Sequence, residues 1–184
     1  MEYKRVVPKC DSFYDFITKV NEWYESRIAF KSEKHEWTYN DLYVMVSNIL
    51  SVIETKQIIY CIDAKEPVLF FVVFMAVTIS GNIAWLGKSA TCEEYIYISD
   101  MEVKEMLQNG STHMFENKSE QDSVSVVAQS SGTTSISKGV MLSQNNILTD
   151  MVAGMRECDY PKGAIYYKVL PYQHLFGLVA DLLG

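Results

Sequence analysis

Residues 129–140 bring together the side chains of this sequence that are best suited to hold an anion. The run is Gln-Ser-Ser-Gly-Thr-Thr-Ser-Ile-Ser-Lys-Gly-Val, with hydroxyl groups around a glycine and one lysine near its end. A β-branched run over 123–128 precedes it, and apolar residues recur at helical spacing over 143–156 behind a serine or asparagine cap. Strand, loop and helix in this order let backbone N–H groups, hydroxyls, a helix N-terminus and an ammonium converge on one anion, and phosphate is the obvious candidate.

Two other interpretations of this loop have to be weighed. Ser/Thr/Gly clusters between regular elements are usually plain connectors, so composition alone favours an ordinary loop. A P-loop of the kinase or GTPase type needs the pattern Gly-x-x-x-x-Gly-Lys-Ser/Thr. Counting from Gly132, the second glycine is replaced by Ser137, and Lys138 is followed by Gly139 and not by a hydroxyl residue. The P-loop is therefore not supported, although the anion-binding chemistry of the segment remains.

The same loop resembles the phosphate-binding signature of the adenylate-forming, or acyl-activating, superfamily, which is approximately Ser/Thr-Ser-Gly-Thr-Thr-Gly-x-Pro-Lys-Gly-Val. The positions that match in register are Ser130, Ser131, Gly132, Thr133, Thr134, Lys138, Gly139 and Val140. Ser135 stands where the family has glycine, and Ser137 stands where it has proline. Glycine permits positive φ and proline presets the backbone, so these two changes bear on the conformation of the loop.

Two further segments resemble motifs of this family in the expected order. Residues 170–178 read Leu-Pro-Tyr-Gln-His-Leu-Phe-Gly-Leu, similar to the family's Leu-Pro-x-x-His-x-x-Gly, with His174 at the histidine position. Residues 141–146 resemble its apolar-x-Thr/Ser-His-x-Asn piece, with Gln144 in place of the histidine and Asn146 at the asparagine. Three motifs in sequence order are far more specific than one glycine-containing loop, and they favour the family over a plain connector.

The resemblance implies an activity and a set of site residues. In this family a carboxylate attacks the α-phosphate of ATP, pyrophosphate leaves, and a thiol such as that of CoA or phosphopantetheine takes the acyl group. Charge builds on phosphate oxygens, so positioned donors and cations carry most of the catalysis. His174 would lie near the carboxylate and the α-phosphate, and the alternative for it is a core histidine bonded to backbone. The residues expected to bind the nucleotide phosphates are Ser130, Ser131, Gly132, Thr133, Thr134, Lys138 and Gly139.

The resemblance covers the whole chain but only the first part of such an enzyme. Nothing in residues 1–184 is similar to the family's magnesium-holding Tyr-Gly-x-Thr-Glu segment, its ribose-binding aspartate or its C-terminal domain with the catalytic lysine. We therefore expect a truncated N-terminal part of the large domain, inactive alone, with its Mg²⁺ ligand outside this chain. The apolar run at 179–184 suggests self-association. A non-catalytic remnant or interaction module with the same fold, and an unrelated phosphate-binding protein such as a kinase, are the alternatives.

Composition and charge limit the partners. The 184 residues are 48% hydrophobic and 21% charged, which is typical of one folded unit with a sizeable core. A net charge of -7 and a pI near 5.0 argue against nucleic acid or an anionic membrane as a partner. The cysteines are widely spaced and the N-terminus lacks a secretory signal, so the sequence predicts a cytoplasmic protein with no metal site in this chain. The apolar run over 67–80 is shorter than the roughly 20 residues that a membrane-spanning helix needs.

The remaining pattern predicts an α/β fold with a largely parallel sheet covered by helices. Residues 57–62, 65–80 and 82–86 form a βαβ unit, whose strands should be parallel. Residues 88–99 could hold an edge strand or a packed loop. Ligands of open α/β sheets bind at the carboxyl ends of the strands, so the loop and His174 are expected to share a crevice there. The other predicted elements are helices over 11–28, 38–55 and 100–108, a hairpin over 27–37, and strands over 112–115, 123–128 and 164–170.

Overall fold

The computed structural model describes residues 10–55, 57–87, 90, 92, 94–129, 139–157 and 165–182. The helices and strands found there, in chain order, are α1 (Phe13–Tyr24), β1 (Ile28–Lys31), β2 (Glu36–Thr38), α2 (Tyr39–Leu50), β3 (Ile59–Ile62), α3 (Pro67–Ile79), β4 (Ile83–Leu86), β5 (Ile96–Ile98), α4 (Asp100–Asn109), β6 (Val124–Gln129), β7 (Gly139–Ser143), α5 (Gln144–Glu157) and a π-helix (Gly177–Leu182). β1 and β2 form the predicted hairpin as an antiparallel pair.

Five strands form one sheet in the order β5-β3-β4-β6-β7. β5, β3, β4 and β6 run parallel, while β7 pairs with β6 in the antiparallel sense. The segment before Asp100, which the sequence left open, contains the edge strand β5. The predicted α/β fold with a largely parallel sheet is therefore confirmed.

Helix α3 connects β3 to β4 and lies at the centre of the core. Pro67 occupies its first turn, where a missing N–H costs no helical hydrogen bond. Every side chain from Val68 to Ile79 is buried, because α1, α2, α4 and the sheet enclose the helix. A fully buried aliphatic or aromatic side chain contributes about 1.5–3 kcal/mol to folding, so α3 is a principal source of stability. None of the helices in the described ranges is long and apolar enough to cross a bilayer.

The two faces of the sheet are covered differently. Alternate strand residues such as Ile62 and Leu86 join the main core with the helices. The opposite face carries a smaller buried cluster of Cys61, Trp85 and Val127. These three residues are neighbours because the register pairs Cys61 with Trp85 and Trp85 with Val127. The small cluster thus lies on the face turned away from the main core.

Side-chain caps determine where the first two helices begin. Ser12 caps α1, since its Oγ accepts a hydrogen bond of 3.0 Å from Asp15 N. Thr38 and Asp41 form a reciprocal capping box at the start of α2, as the Thr-x-x-Asp spacing predicts. A cap of this kind contributes roughly 0.5–2 kcal/mol, so short polar residues fix both boundaries.

Two of the predicted strands are not present in the described residues. Segment 112–115 is not a strand because side chains of α2 bind its backbone: Ser47 Oγ donates to His113 O (2.7 Å) and accepts from His113 N (2.9 Å). Residues 165–170 are not a strand either, and Ile165, Tyr167 and Val169 are 77%, 82% and 78% exposed. β7 takes the second edge of β6, so the sheet offers no place beside β6 for another strand.

Gly154 offers a test of helix α5. It lies inside that helix, and a Cβ added there meets no atom within 4 Å. Glycine is flexible in the unfolded chain, so Gly154→Ala should raise the free energy of unfolding by about 0.5–1 kcal/mol, measured by denaturant unfolding. The matched control is Gly110→Ala, which should be destabilising because its Cβ would lie 2.1 Å from the Asn48 carbonyl oxygen. A loss of stability in Gly154→Ala would contradict the helix.

Candidate functional site

The carboxyl ends of β5, β3, β4 and β6 lie at one edge of the sheet, because these strands are parallel. β6 ends there at Gln129, and the hydroxyl-rich segment follows directly. The predicted site residues Ser130, Ser131, Gly132, Thr133, Thr134 and Lys138 lie outside the described residues. The structure therefore locates the two residues between which this segment runs, Gln129 and Gly139.

Gln129 and Gly139 face each other as the last pair of β6 and β7. Segment 130–138 thus starts and ends at one point of the sheet edge. Gly139 is packed closely on the sheet, since a Cβ there would lie 2.9 Å from Val127 Cγ1 and 3.3 Å from Trp85 Cη2. Glycine is the residue that fits without displacing a buried side chain, which gives the last glycine of the motif a packing role.

A strand, and not a helix, follows the loop. The sequence pattern placed a helix N-terminus beside the loop, but β7 (Gly139–Ser143) comes first. Because β7 runs antiparallel to β6, Ser143 lies opposite Val124, at the amino end of β6. α5 therefore begins at the far side of the sheet. Its dipole acts only near its own first turn, so the predicted contribution of this helix N-terminus to the anion site is wrong.

Polar side chains fix the start of α5 at that far side. Ser143 Oγ accepts a hydrogen bond from Asn146 N (3.2 Å), and Asn146 Oδ1 accepts one from Ser143 N (3.0 Å). Gln144 is 1% exposed. Its Oε1 accepts from Phe13 N (3.0 Å), and its Nε2 donates to Ser119 Oγ (2.9 Å). The glutamine at the family's histidine position is thus a structural link between α1, α5 and the segment before β6.

His174 lies in a turn at the carboxyl edge of the sheet. The turn is attached just beyond β3, where Gln173 Nε2 donates to Ala64 O (3.4 Å). Tyr172 anchors it to α3, with its ring centroid 5.3 Å from that of Phe70. The side chain of His174 is exposed, so it is not a core histidine. Since only β4 separates β3 from β6, the strand beside which the turn is attached lies about 10 Å from the strand that leads into the loop.

The proline and the glycine of the histidine motif hold this turn together. Pro171 O accepts a hydrogen bond from His174 N (3.2 Å), and a Cβ at Gly177 would lie 2.3 Å from the same oxygen. A cleft of about 280 Å³ opens beside the turn, lined by Ala64, Lys65 and residues 168–173. Its volume lies just below the range of about 300–1,000 Å³ that is usual for small-ligand sites.

A polar network at the carboxyl ends of β3 and β5 has no counterpart in the predictions. Asp63 is 9% exposed, accepts a hydrogen bond from Tyr97 Oη (2.8 Å) and is paired with Lys65. Asp100 Oδ1 accepts from the backbone N–H groups of Lys65 (2.8 Å) and Glu66 (3.1 Å). The backbone of the two residues directly before α3 is thus bound to a carboxylate. No local pattern indicates this contact, because its partners are 35 and 34 residues apart in the chain.

Comparison with known proteins gives a family and a set of similar structures. The family model for AMP-binding enzymes matches residues 44–184. The 4-coumarate--CoA ligase-like 6 of Arabidopsis thaliana is 36% identical over 69 residues, which is 35% of this chain and 12% of that protein. The match therefore spans a small part of the length of this curated relative.

Solved structures of two bacterial proteins share the fold. The match to unliganded o-succinylbenzoate CoA synthetase (MenE) of Bacillus subtilis covers 90% of this chain and 42% of the MenE chain, with a TM-score of 0.74 and 15% identity. The match to the NpsA N-terminal subdomain of Klebsiella oxytoca, in complex with anthranilyl-AMSN, covers 78% of this chain and 44% of the NpsA chain, with a TM-score of 0.65 and 17% identity. At these identities the likeness concerns the fold, and this chain spans less than half of either structure.

Tyr97 offers a test of the polar network. The hydrogen bond to Asp63, together with burial and the negative charge of that carboxylate, raises the pKa of Tyr97 from 10.0 to about 12. Because the folded pKa is raised, the stabilisation is fully present below pH 10.0 and is lost as the pH rises through about 12. In a spectrophotometric titration, the wild type should therefore show a rise in phenolate absorbance near pH 12 that is absent in Tyr97→Phe. Asp63→Asn should lower that pKa, and an unchanged titration would contradict the network.

Proposed function

We propose that residues 1–184 are the N-terminal part of the large domain of an ATP-dependent carboxylate-activating ligase. The chain belongs to the family of AMP-binding enzymes, as its motifs indicate. The observation that carries this proposal is the Gln129–Gly139 pair, which puts both ends of the signature segment at the carboxyl edge of the sheet. Ligands of open α/β sheets bind at that edge. The whole enzyme would form an acyl adenylate and then transfer the acyl group to a thiol, that of CoA or of a carrier protein's phosphopantetheine.

The signature residues would hold the triphosphate of ATP. The hydroxyl donors are Ser130, Ser131, Thr133 and Thr134. Lys138 supplies a positive charge, and charge-assisted hydrogen bonds to phosphate are stronger than neutral ones. Gly132 and Gly139 allow the backbone to approach the ligand closely. Donors that are in place before the reaction stabilise the charge that develops on the phosphate oxygens.

His174 would act next to the reacting atoms. Its exposure at the carboxyl edge, beside the 280 Å³ cleft, supports contact with a ligand in that region. A ring N–H is available in both the neutral and the protonated imidazole, so the side chain can donate to the substrate carboxylate or to the α-phosphate. Pro171 and Gly177 fix the geometry of the turn that carries the histidine.

ATP and a carboxylic acid are the ligands that this function requires. Mg²⁺ would accompany ATP, and the resemblance puts its protein ligand outside residues 1–184. Within the described ranges no group of three or more His, Cys, Asp or Glu side chains could hold a metal ion. The nucleotide and acceptor thiol of this reaction favour the cytoplasm as the location. Neither nucleic acid nor a membrane is expected as a partner, given the net charge of -7.

By itself the chain would be inactive. The sequence predicts that the apolar run at 179–184 is exposed, but Val179 is buried in the main core. Large apolar side chains are exposed instead at Ile165, Tyr167 and Val169, and such a surface supports self-association or a cover supplied by the rest of an enzyme. The alternative function is a non-catalytic remnant or interaction module with the same fold. Ser135 and Ser137 favour that alternative, because they replace the glycine and proline of the signature.

Isothermal titration of the complete gene product with ATP and with inorganic pyrophosphate tests the phosphate site. Lys138→Ala should weaken binding about tenfold or more, because a hydrogen bond to a charged group contributes roughly 1.5–3 kcal/mol. Lys31→Ala is the charge-matched control, since Lys31 pairs with Glu36 in the separate two-stranded sheet. Failure of the wild type to bind either ligand, or equal affinity in Lys138→Ala, would contradict the proposal.

Carboxylate-dependent ATP–pyrophosphate exchange distinguishes the two candidate functions. A complete gene product that contains this sequence should catalyse the exchange with at least one carboxylic acid of a broad panel. Binding of ATP without exchange for any acid of the panel would favour the non-catalytic alternative. The same assay on residues 1–184 alone is expected to give no exchange.

A further inference from the structure

Trp85 is the largest side chain of the small cluster on the second sheet face, and it is 6% exposed. Its indole Nε1–H is buried and has no hydrogen-bond partner in the part of the chain that the structure describes. A buried donor without a partner destabilises a fold, and each such group in a native structure needs an explanation. An apolar ring has no such donor, so stability alone does not explain a tryptophan at this position.

The contact of the indole ring with Gly139 on another strand explains why a tryptophan occupies this position. Trp85 belongs to β4, yet its Cη2 lies 3.3 Å from where a Cβ of Gly139 on β7 would be. β6 lies between these strands, so the ring reaches over β6 toward a backbone that is about two strand spacings, or roughly 10 Å, from its own. Val127 of β6 lies in the same contact, with Cγ1 at 2.9 Å from that Cβ position. Trp85 and Val127 therefore form the surface on which the backbone of Gly139 lies.

The other end of segment 130–138 has a support of its own on the same face. Gly87 follows β4 with φ of +143°, a conformation that favours glycine, and a Cβ there would lie 3.3 Å from Cδ and Oε1 of Gln129. Cys61 Sγ donates a hydrogen bond to Gly87 O (3.1 Å). Burial and the nearby carboxylate of Asp63 raise the pKa of Cys61 to about 11, so the thiol keeps the proton that it donates. Both ends of the segment thus lie on the buried second face.

We propose that Trp85 is a positioning residue for the phosphate-binding segment, which it acts on through Gly139; this rests on the proposed function. Lys138 directly precedes Gly139 in the chain. A change in the position of the Gly139 backbone on the Trp85 ring would therefore be passed on to the backbone of the lysine. Trp85 needs no contact with the ligand for this role. A side chain that is too short, or a Gly139 that is too large, would shift the lysine away from its phosphate. Shifts of about 1 Å are enough to weaken a preorganised site strongly.

The test combines Trp85→Phe and Gly139→Ala in a double-mutant cycle, read out by isothermal titration with ATP. Each single substitution should weaken binding about tenfold, because each moves the same contact. The double variant should be weakened less than the product of the two, since both substitutions change the same contact of Gly139 with the Trp85 ring. The smaller ring relieves the 3.3 Å contact, while the 2.9 Å contact with Val127 Cγ1 remains. Phenylalanine also lacks the unpaired donor, so the unfolding temperature of Trp85→Phe should not fall in step with its affinity. Trp23→Phe is the matched control, because Trp23 is 52% exposed on α1.

The outcomes separate this inference from the function on which it rests. A wild type that does not bind ATP overturns both. Binding that Lys138→Ala abolishes but Trp85→Phe leaves unchanged overturns the positioning role alone. Multiplicative effects in the cycle, or a loss of affinity in Trp85→Phe that only follows a loss of thermal stability, also overturn it. If Gly139→Ala does not fold, the comparison of affinity and unfolding temperature in Trp85→Phe still decides the question.

Discussion

The pairing of β6 on both of its edges is the interaction on which the rest of the structure depends. On one side it runs parallel to β4, with Trp85 opposite Val127, and on the other it runs antiparallel to β7, with Gln129 opposite Gly139. The parallel side places its carboxyl end beside those of β3 and β4. The antiparallel side returns the chain after segment 130–138 and carries it to α5. One strand therefore fixes where the signature begins, where it ends and which way the next helix points.

The same arrangement limits the source of positive charge at the carboxyl edge. Three helices are possible sources of an N-terminus for a phosphate. α5 begins at the opposite end of β6. α3 and α4 begin at the carboxyl edge, where Asp100 accepts hydrogen bonds from the backbone N–H groups of Lys65 and Glu66 just before α3, and where Ser99 and Glu102 form a capping box at the start of α4. The proposed function assigns the contact with an anion to the backbone and side chains of the loop, above all to Lys138.

The sequence predicts those parts of the fold that depend on local patterns. The unbroken apolar run gives the buried helix α3, and Thr38 with Asp41 gives the start of α2. The position of His174 at the carboxyl edge is predicted from a strand over 164–170, which residues 165–170 do not form; the turn reaches this edge through the contact of Gln173 with Ala64. The contact of the histidine ring with a ligand stays a prediction. Strand β7 is not predicted, because its residues overlap the end of the loop motif and the helix cap. The contact of Asp100 with α3 could not be predicted either, since it joins elements that no local pattern relates.

The most direct measurement of the central claim is an NMR titration of the isotope-labelled chain with ATP. If the nucleotide is held at the carboxyl end of β6, the largest backbone amide shifts should occur at Gln129 and Gly139, with a smaller change at His174. The amides of Lys65 and Glu66, just before α3, should respond little, because Asp100 already binds them. Shifts centred on Lys65 and Glu66, or no change at Gln129 and Gly139 at a saturating concentration, would contradict this account.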